Sequence, residues 1–141
     1  MDVLSPLRVF LERDDHKKHF AQADNLMAYS ARLLSFTFVT PQLGRYTIPA
    51  LCGYGDVALY VSNERKISTD VSQLWKQIKK QDLCCVYVPK DEKEALIPSM
   101  MLFRNKYCEK LTPHYVFNAT LDQLAPWVWA GGHGNVGTLE V

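Results

Sequence analysis

Apolar positions near the start of the chain recur at helical spacing. Phe20, Ala23, Met27, Ala31 and Leu34 follow steps of three and four. This predicts an amphipathic N-terminal helix of roughly five turns, with those side chains as its buried stripe. Asp14 and Asp15 suit its start, where acids meet the positive end of the helix dipole. Arg8 to Leu11 reads as a short apolar lead-in.

At Ser35 the period drops to two. Ser35-Phe36-Thr37-Phe38-Val39-Thr40 alternates and is β-branched or aromatic, so it predicts a strand. Pro41 and Gly44 frame a turn. Arg45 to Leu51 follows as a second strand, placed at an edge or bulge by Pro49. Gly53-Tyr54-Gly55-Asp56 is a tight turn and Val57 to Val61 a third strand. Short links between three strands predict an antiparallel meander.

Asp70, with Gln73 three residues on, forms a capping pair at the start of the next helix. Val71, Leu74, Trp75 and Ile78 are its buried stripe. Leu83 to Val88 is almost continuously apolar, the pattern of a central strand covered on both faces. Asp91 and Glu94 suit one short helical turn ended by Pro98. Met100, Phe103, Tyr107 and Leu111 allow a further helix, although Met100 to Phe103 also fits a strand. His114 to Asn118 reads as a fifth strand. Thr120 with Gln123 caps a last helical segment, Leu121 to Trp129, which Pro126 must kink or restart because proline has no N–H to donate. Gly131 suits its C-cap.

The expected fold is therefore α+β: one domain over residues 1–141, with a mostly antiparallel sheet of about five strands and helices packed on it. The glycine-rich segment from about residue 131 is expected to be flexible and dispensable for folding. Glycine costs the most entropy to order, and only Val136, Leu139 and Val141 could offset it. Its alternative is an added edge strand, Val136 to Val141, with the glycines as the turn leading into it.

Composition narrows the class without naming an activity. The chain has 141 residues, is 48% hydrophobic and 22% charged, and carries a net charge of +1. It is long enough for a core without metal or disulfide staples. No apolar run approaches the length of a membrane span, and the N-terminus lacks a signal-peptide pattern. Charge is uneven: residues 65–110 hold ten Lys/Arg against six Asp/Glu. A dedicated nucleic-acid binder has a basic face and a higher pI than this chain, so nucleic acid is disfavoured as a partner. Titration with labelled duplex DNA should show weak binding that disappears at physiological salt; a nanomolar complex there would reverse this exclusion.

The four cysteines, Cys52, Cys84, Cys85 and Cys108, have no C-x-x-C spacing. Free thiols in a reducing cytoplasm fit them better than a disulfide framework or a zinc site. Cys84 and Cys85, as neighbours on a strand, are expected on opposite faces.

Candidate binding residues gather at two places. Tyr54 sits at the tip of a glycine turn, a position that favours contacts. Trp127, Trp129 and His133 lie in and beside the glycine-rich end. Trp127 and Trp129 must face different ways, so one can be core while the other anchors a partner. His16 and His19 have a spacing that allows metal binding, but no third ligand accompanies them. Cys108 and His114 are the nearest approach to a nucleophile and base, without an oxyanion-hole signature. GxSxG, P-loop, HExxH and Rossmann fingerprints are absent from the sequence.

The order of helix, three-strand meander and helix resembles the acetyltransferase superfamily. That family carries a glycine-rich pyrophosphate turn before the second helix. Here the equivalent stretch is Asn63-Glu64-Arg65-Lys66-Ile67-Ser68-Thr69-Asp70, which has no glycine. The sequence thus points to a small cytoplasmic, non-catalytic protein that binds a partner protein, a second copy of itself as a homodimer, or a small ligand, with no cofactor and no metal. The alternative is a small transferase or hydrolase using Cys108 and His114.

Overall fold

A computed structural model describes residues 6–79, 82–87 and 98–140. A single six-stranded mixed sheet organises them. Its strands are β1 (Leu7–Glu12), β2 (Leu34–Val39), β3 (Val57–Val61), β4 (Cys85–Tyr87), β5 (Met100–Arg104) and β6 (Val136–Thr138). Their order is β2-β1-β3-β5-β4-β6. β1 runs parallel to both β2 and β3, β5 is antiparallel to β3 and β4, and β6 is parallel to β4. Five α-helices accompany the strands among the described residues: α1 (Lys18–Ala28), α2 (Ile48–Leu51), α3 (Trp75–Lys79), α4 (Pro113–Asn118) and α5 (Pro126–Trp129).

The α+β class matches the sequence reading; the strand count and directions differ. The antiparallel meander gives way to parallel pairing, because the apolar lead-in is itself an inner strand, β1, between β2 and β3. Its burial is almost continuous: Val9, Phe10 and Leu11 are all buried. A strand covered on both faces loses the alternation that identifies a half-exposed one. With β1 in the sheet, α1 becomes the crossover between parallel β1 and β2. The resemblance to the acetyltransferase order does not survive this pairing.

The inner strands of the sheet are covered on both faces. Phe10, Ala58, Tyr60, Cys85, Tyr87, Met101 and Phe103 point to one core. Their chain neighbours Val9, Leu11, Leu59, Val61, Val86, Met100 and Leu102 point to the other. On the first face lie Tyr46, Ile48, Val116 and Trp129. On the second lie Ala23, Leu26, Val71, Leu74, Trp75 and Ile78. The helix read from Asp70 forms as expected: Asp70 accepts the Ser72 amide at 2.9 Å, a 3-10 turn covers Val71–Leu74, and α3 follows. Trp75 is buried. Trp75→Ala is expected to cost about 3–5 kcal/mol in urea denaturation. A loss below about 1 kcal/mol would mean that its ring is solvated.

Several elements change type or phase. α1 is shorter than expected and rotated: His19, Gln22, Ala23 and Leu26 are buried, whereas Phe20 and Met27 are about half exposed. Leu34 belongs to β2. Arg45 to Leu51 is not a strand. It is a 3-10 turn, Leu43–Thr47, running into α2, with Pro49 in the first turn, where its missing N–H costs nothing. Met100–Arg104 takes the strand alternative. His114 to Asn118 is helical, because Thr112 accepts the Tyr115 amide at 3.1 Å and Pro113 occupies the first turn. The Thr120–Gln123 pair caps reciprocally, and the chain restarts at Pro126 as α5. The turn expected at Asp91–Glu94 lies outside the described residues.

The segment from about residue 131, expected to be flexible, is instead built into the sheet. β6 pairs with β4, the Leu139 amide donates to the Tyr87 carbonyl at 2.8 Å, and Leu139 is buried. Gly131 and Gly132 take positive φ at the turn into it. The entropy cost of ordering glycine is offset by a strand's hydrogen bonds and one buried leucine.

Candidate functional site

The exits of β1 and β2 create the feature that the sequence reading missed. After β1 the chain passes to the face carrying Ala23 and Leu26; after β2 it passes to the opposite face, carrying Tyr46 and Ile48. Adjacent parallel strands whose exits diverge leave a crevice at their carboxyl ends, where open sheets bind ligands. A cavity of about 340 Å³ lies there, walled by the end of β1 and the turn after it (Glu12–Asp15), by Pro41 and Arg45, and by Tyr60 and Ser62–Glu64.

Glu12 is the hub. It ends β1 on the same side as Phe10, so its carboxylate projects toward the core face beside Tyr60. The Arg45 guanidinium pairs with Glu12 Oε1 at 2.6 Å, and both side chains are largely buried, at 11% and 14% exposure. The Tyr60 hydroxyl donates to the same oxygen. The Gln42 amide donates to Oε2 at 2.7 Å, and Asn63 Nδ2 to the Glu12 carbonyl at 2.8 Å. Arg45 also covers the Tyr60 ring, 4.4 Å from its centroid, and donates to the Pro98 carbonyl at 2.7 Å. Gly44 lets the turn carrying Arg45 close onto β2, since a Cβ there would meet Val39 Cβ at 2.9 Å.

The electrostatics follow from burial. Burial pushes the Tyr60 phenol well up, opposed by Arg45 and reinforced by Glu12. Burial also raises Tyr46, to about 12. Both rings are therefore neutral donors at physiological pH. At the rim, the Lys18 and His16 amides hold the Asp14 carboxyl below its usual range, and Lys18 pairs with Glu64 at 3.0 Å.

Two polar atoms in this wall have no partner among the described residues. Arg45 Nε and Asn63 Oδ1 are buried without a hydrogen bond. A buried, unpaired polar atom costs about 1–3 kcal/mol, so a small shift of the wall that uncovered these two would give the crevice one donor and one acceptor. A second cavity of about 540 Å³ shares Arg45 and Ser62 with the first, and Leu43, Tyr46, Leu121 and Leu124 make it mainly apolar.

The residues expected to bind are placed elsewhere. Tyr54 precedes β3, at the opposite end of the strand from the crevice; it is half-buried and its hydroxyl reaches the Leu111 carbonyl at 3.4 Å. Trp129 is core: it is 2% exposed, stacks on Phe103, and donates from Nε1 to the Leu124 carbonyl at 2.9 Å. Trp127 is half-buried and stacks on the exposed His133, with centroids 5.0 Å apart. These two do come together. His16 and His19 part company, because His19 is buried and accepts the Asp14 amide at Nδ1.

Cys108 and His114 do not form a pair. Cys108 is fully buried, while His114 is exposed on α4 with its Nδ1 at 3.4 Å from Asn118 Nδ2. The partner of Cys108 is Cys84, with sulfurs 3.4 Å apart. Cys84 and Cys85 share one core instead of dividing between faces, because β4 begins only at Cys85 and Cys84 lies in the bend before it. No protein-family description matches this chain, and no curated protein matches it in sequence.

One trace of the crevice lies in the sequence around Glu12. Arg8, Phe10 and Glu12 share one side of a strand whose other side is Leu7, Val9 and Leu11. A carboxylate facing a core demands a charged partner. Arg45, its partner, is 33 residues away, and no local spacing links the two.

Proposed function

We propose that this protein is a small, non-catalytic, cytoplasmic binding protein whose ligand site is the crevice at the carboxyl ends of β1, β2 and β3. The observation that carries this reading is the pair of buried, partnerless atoms, Arg45 Nε and Asn63 Oδ1, in a wall otherwise satisfied. A ligand that accepts from the first and donates to the second removes two desolvation penalties. The adjoining apolar cavity, with Leu43, Tyr46 and Leu124, accommodates a hydrocarbon or aromatic body. The fitting ligand is compact, polar at one end and apolar at the other. A binding role, in preference to catalysis, is favoured by Glu12, whose two carboxylate oxygens are already engaged. The cytoplasmic placement rests on four free thiols.

Fragment screening by amide chemical-shift mapping tests this reading. Fragments with adjacent donor and acceptor groups should perturb Ser62, Asn63 and Arg45 together. Asn63→Ala should weaken them about tenfold, as the loss of one hydrogen bond predicts. Hits that cluster elsewhere, or that bind Asn63→Ala equally well, would overturn it.

A protein partner, including a second copy, is the second reading. It is favoured by the exposed apolar side chains Phe117, Leu121 and Val128, at 62%, 53% and 40%, and by the half-buried Trp127. Sedimentation should detect self-association that Phe117→Ser with Val128→Ser reduces. A concentration-independent monomer would remove the homodimer.

A further inference from the structure

We propose that Cys84 and Cys108 form a two-thiol oxidation site, in which a hydroperoxide oxidises Cys84 and Cys108 closes the disulfide. Geometry carries the proposal. The sulfurs are 3.4 Å apart, against about 2.05 Å in a disulfide, so the two thiols already touch with no group between them. The backbone keeps them in register. β4 and β5 pair antiparallel with Cys85 opposite Phe103, the Arg104 amide donates to the Cys84 carbonyl at 2.9 Å, and the 3-10 turn Asn105–Tyr107 brings Cys108 back over the bend.

The two thiols are not equivalent. Cys84 lines a cavity of about 620 Å³ together with Lys106, Tyr107 and Asn135. Cys108 lies behind it, fully buried among Leu111 and the other side chains of the core. The two sulfurs share a hydrogen bond that either thiol can donate; a thiolate on Cys84 would accept it from Cys108, which favours the charge on Cys84. Cys84, and not Cys108, is the thiol that faces the cavity. It is the attacking group, and its neighbour resolves.

The chemistry balances with a hydroperoxide as the two-electron oxidant. The Cys84 thiolate attacks the distal peroxide oxygen; the O–O bond breaks, an alcohol or water leaves, and Cys84 becomes a sulfenic acid. The Cys108 sulfur then attacks the Cys84 sulfur, the S–O bond breaks and water leaves with the Cys108 proton. Two thiols have lost two electrons and two protons, and the peroxide has gained them.

Exposure alone predicts a different target. Cys52 is half-buried, whereas Cys84, Cys85 and Cys108 are all buried. Mass spectrometry after one equivalent of hydrogen peroxide separates the two outcomes. We expect the whole chain to lose 2 Da, a cross-linked Cys84–Cys108 peptide, unmodified Cys52, and recovery with dithiothreitol (the 2 Da being two hydrogens). Cys108→Ser should abolish the cross-link and leave Cys84 as a sulfenic acid that dimedone traps. The oxidised chain should melt about 5–10 °C higher, since the bond closes a loop in the unfolded state. Oxidation first at Cys52, with Cys84 and Cys108 still free, would overturn the proposal. So would a Cys84 sulfenic acid that persists in the wild-type chain.

Discussion

Truncation after Ala130 is expected to lower the melting temperature by at least about 10 °C, independently of protein concentration. It removes β6, which pairs with β4 at Cys85, Val86 and Tyr87. It also removes Leu139, whose side chain packs with Val71, Leu74 and Trp75 in one core. Deleting a buried leucine side chain alone costs about 2–5 kcal/mol. The loss of pairing adds to that: the Cys84 amide loses the Asn135 carbonyl, and Gln77 loses its two bonds with Glu140, at 2.6 and 2.8 Å. The single variant Leu139→Ala separates packing from pairing and should show the smaller part of the drop. Differential scanning calorimetry checks both. A truncated chain that melts with the intact one would mean that the segment contributes nothing to the fold.

Breaking the ion pair under the crevice should be equally costly. Glu12→Ala leaves the Arg45 guanidinium and the Tyr60 hydroxyl without their shared acceptor, and leaves the Gln42 amide without Oε2. Removing one member of a buried pair costs about 3–5 kcal/mol, because the remaining charge is uncompensated. Replacing both, as Glu12→Met with Arg45→Leu, should recover most of that loss, because two apolar side chains do not carry the desolvation penalty. Glu12→Gln should fall between these limits, since an amide oxygen still accepts from Arg45 and Tyr60. Urea unfolding of the three variants gives the comparison. If the double variant is no more stable than Glu12→Ala, the loss comes from packing and not from charge.

The ligand reading and the pair are linked through Arg45. A ligand that engages Arg45 Nε acts on a guanidinium already held by Glu12, Pro98 and the Tyr60 ring. Such preorganisation lowers the ordering cost of binding. The same rigidity makes the site intolerant of Arg45→Lys, because an ammonium presents neither the fork nor the planar face.

Much of the local structure was written in the residues themselves. The Asp70 cap, the buried stripe of Val71, Leu74, Trp75 and Ile78, and the Thr120–Gln123 capping box with its restart at Pro126 all depend on groups within a few residues of one another. Local hydrogen bonds and fixed periodicity specify these without help from the rest of the chain. The α+β class follows from the same signals.

The tertiary structure alone decided the rest, for one physical reason: pairing partners far apart in sequence leave no local mark. Arg8 to Leu11 reads as a lead-in and is a strand only because β2 and β3 flank it, since an apolar run buried on both faces has no period to read. His114–Asn118 reads as a strand from its short apolar run, yet Thr112, Pro113 and the packing of Val116 in the core make it a helix. The glycine-rich end looked too costly to order, and only the free edge of β4 supplies the hydrogen bonds that order it. The approach of Cys84 to Cys108, and of Glu12 to Arg45 and Tyr60, depends on strand order, which no spacing in the chain encodes.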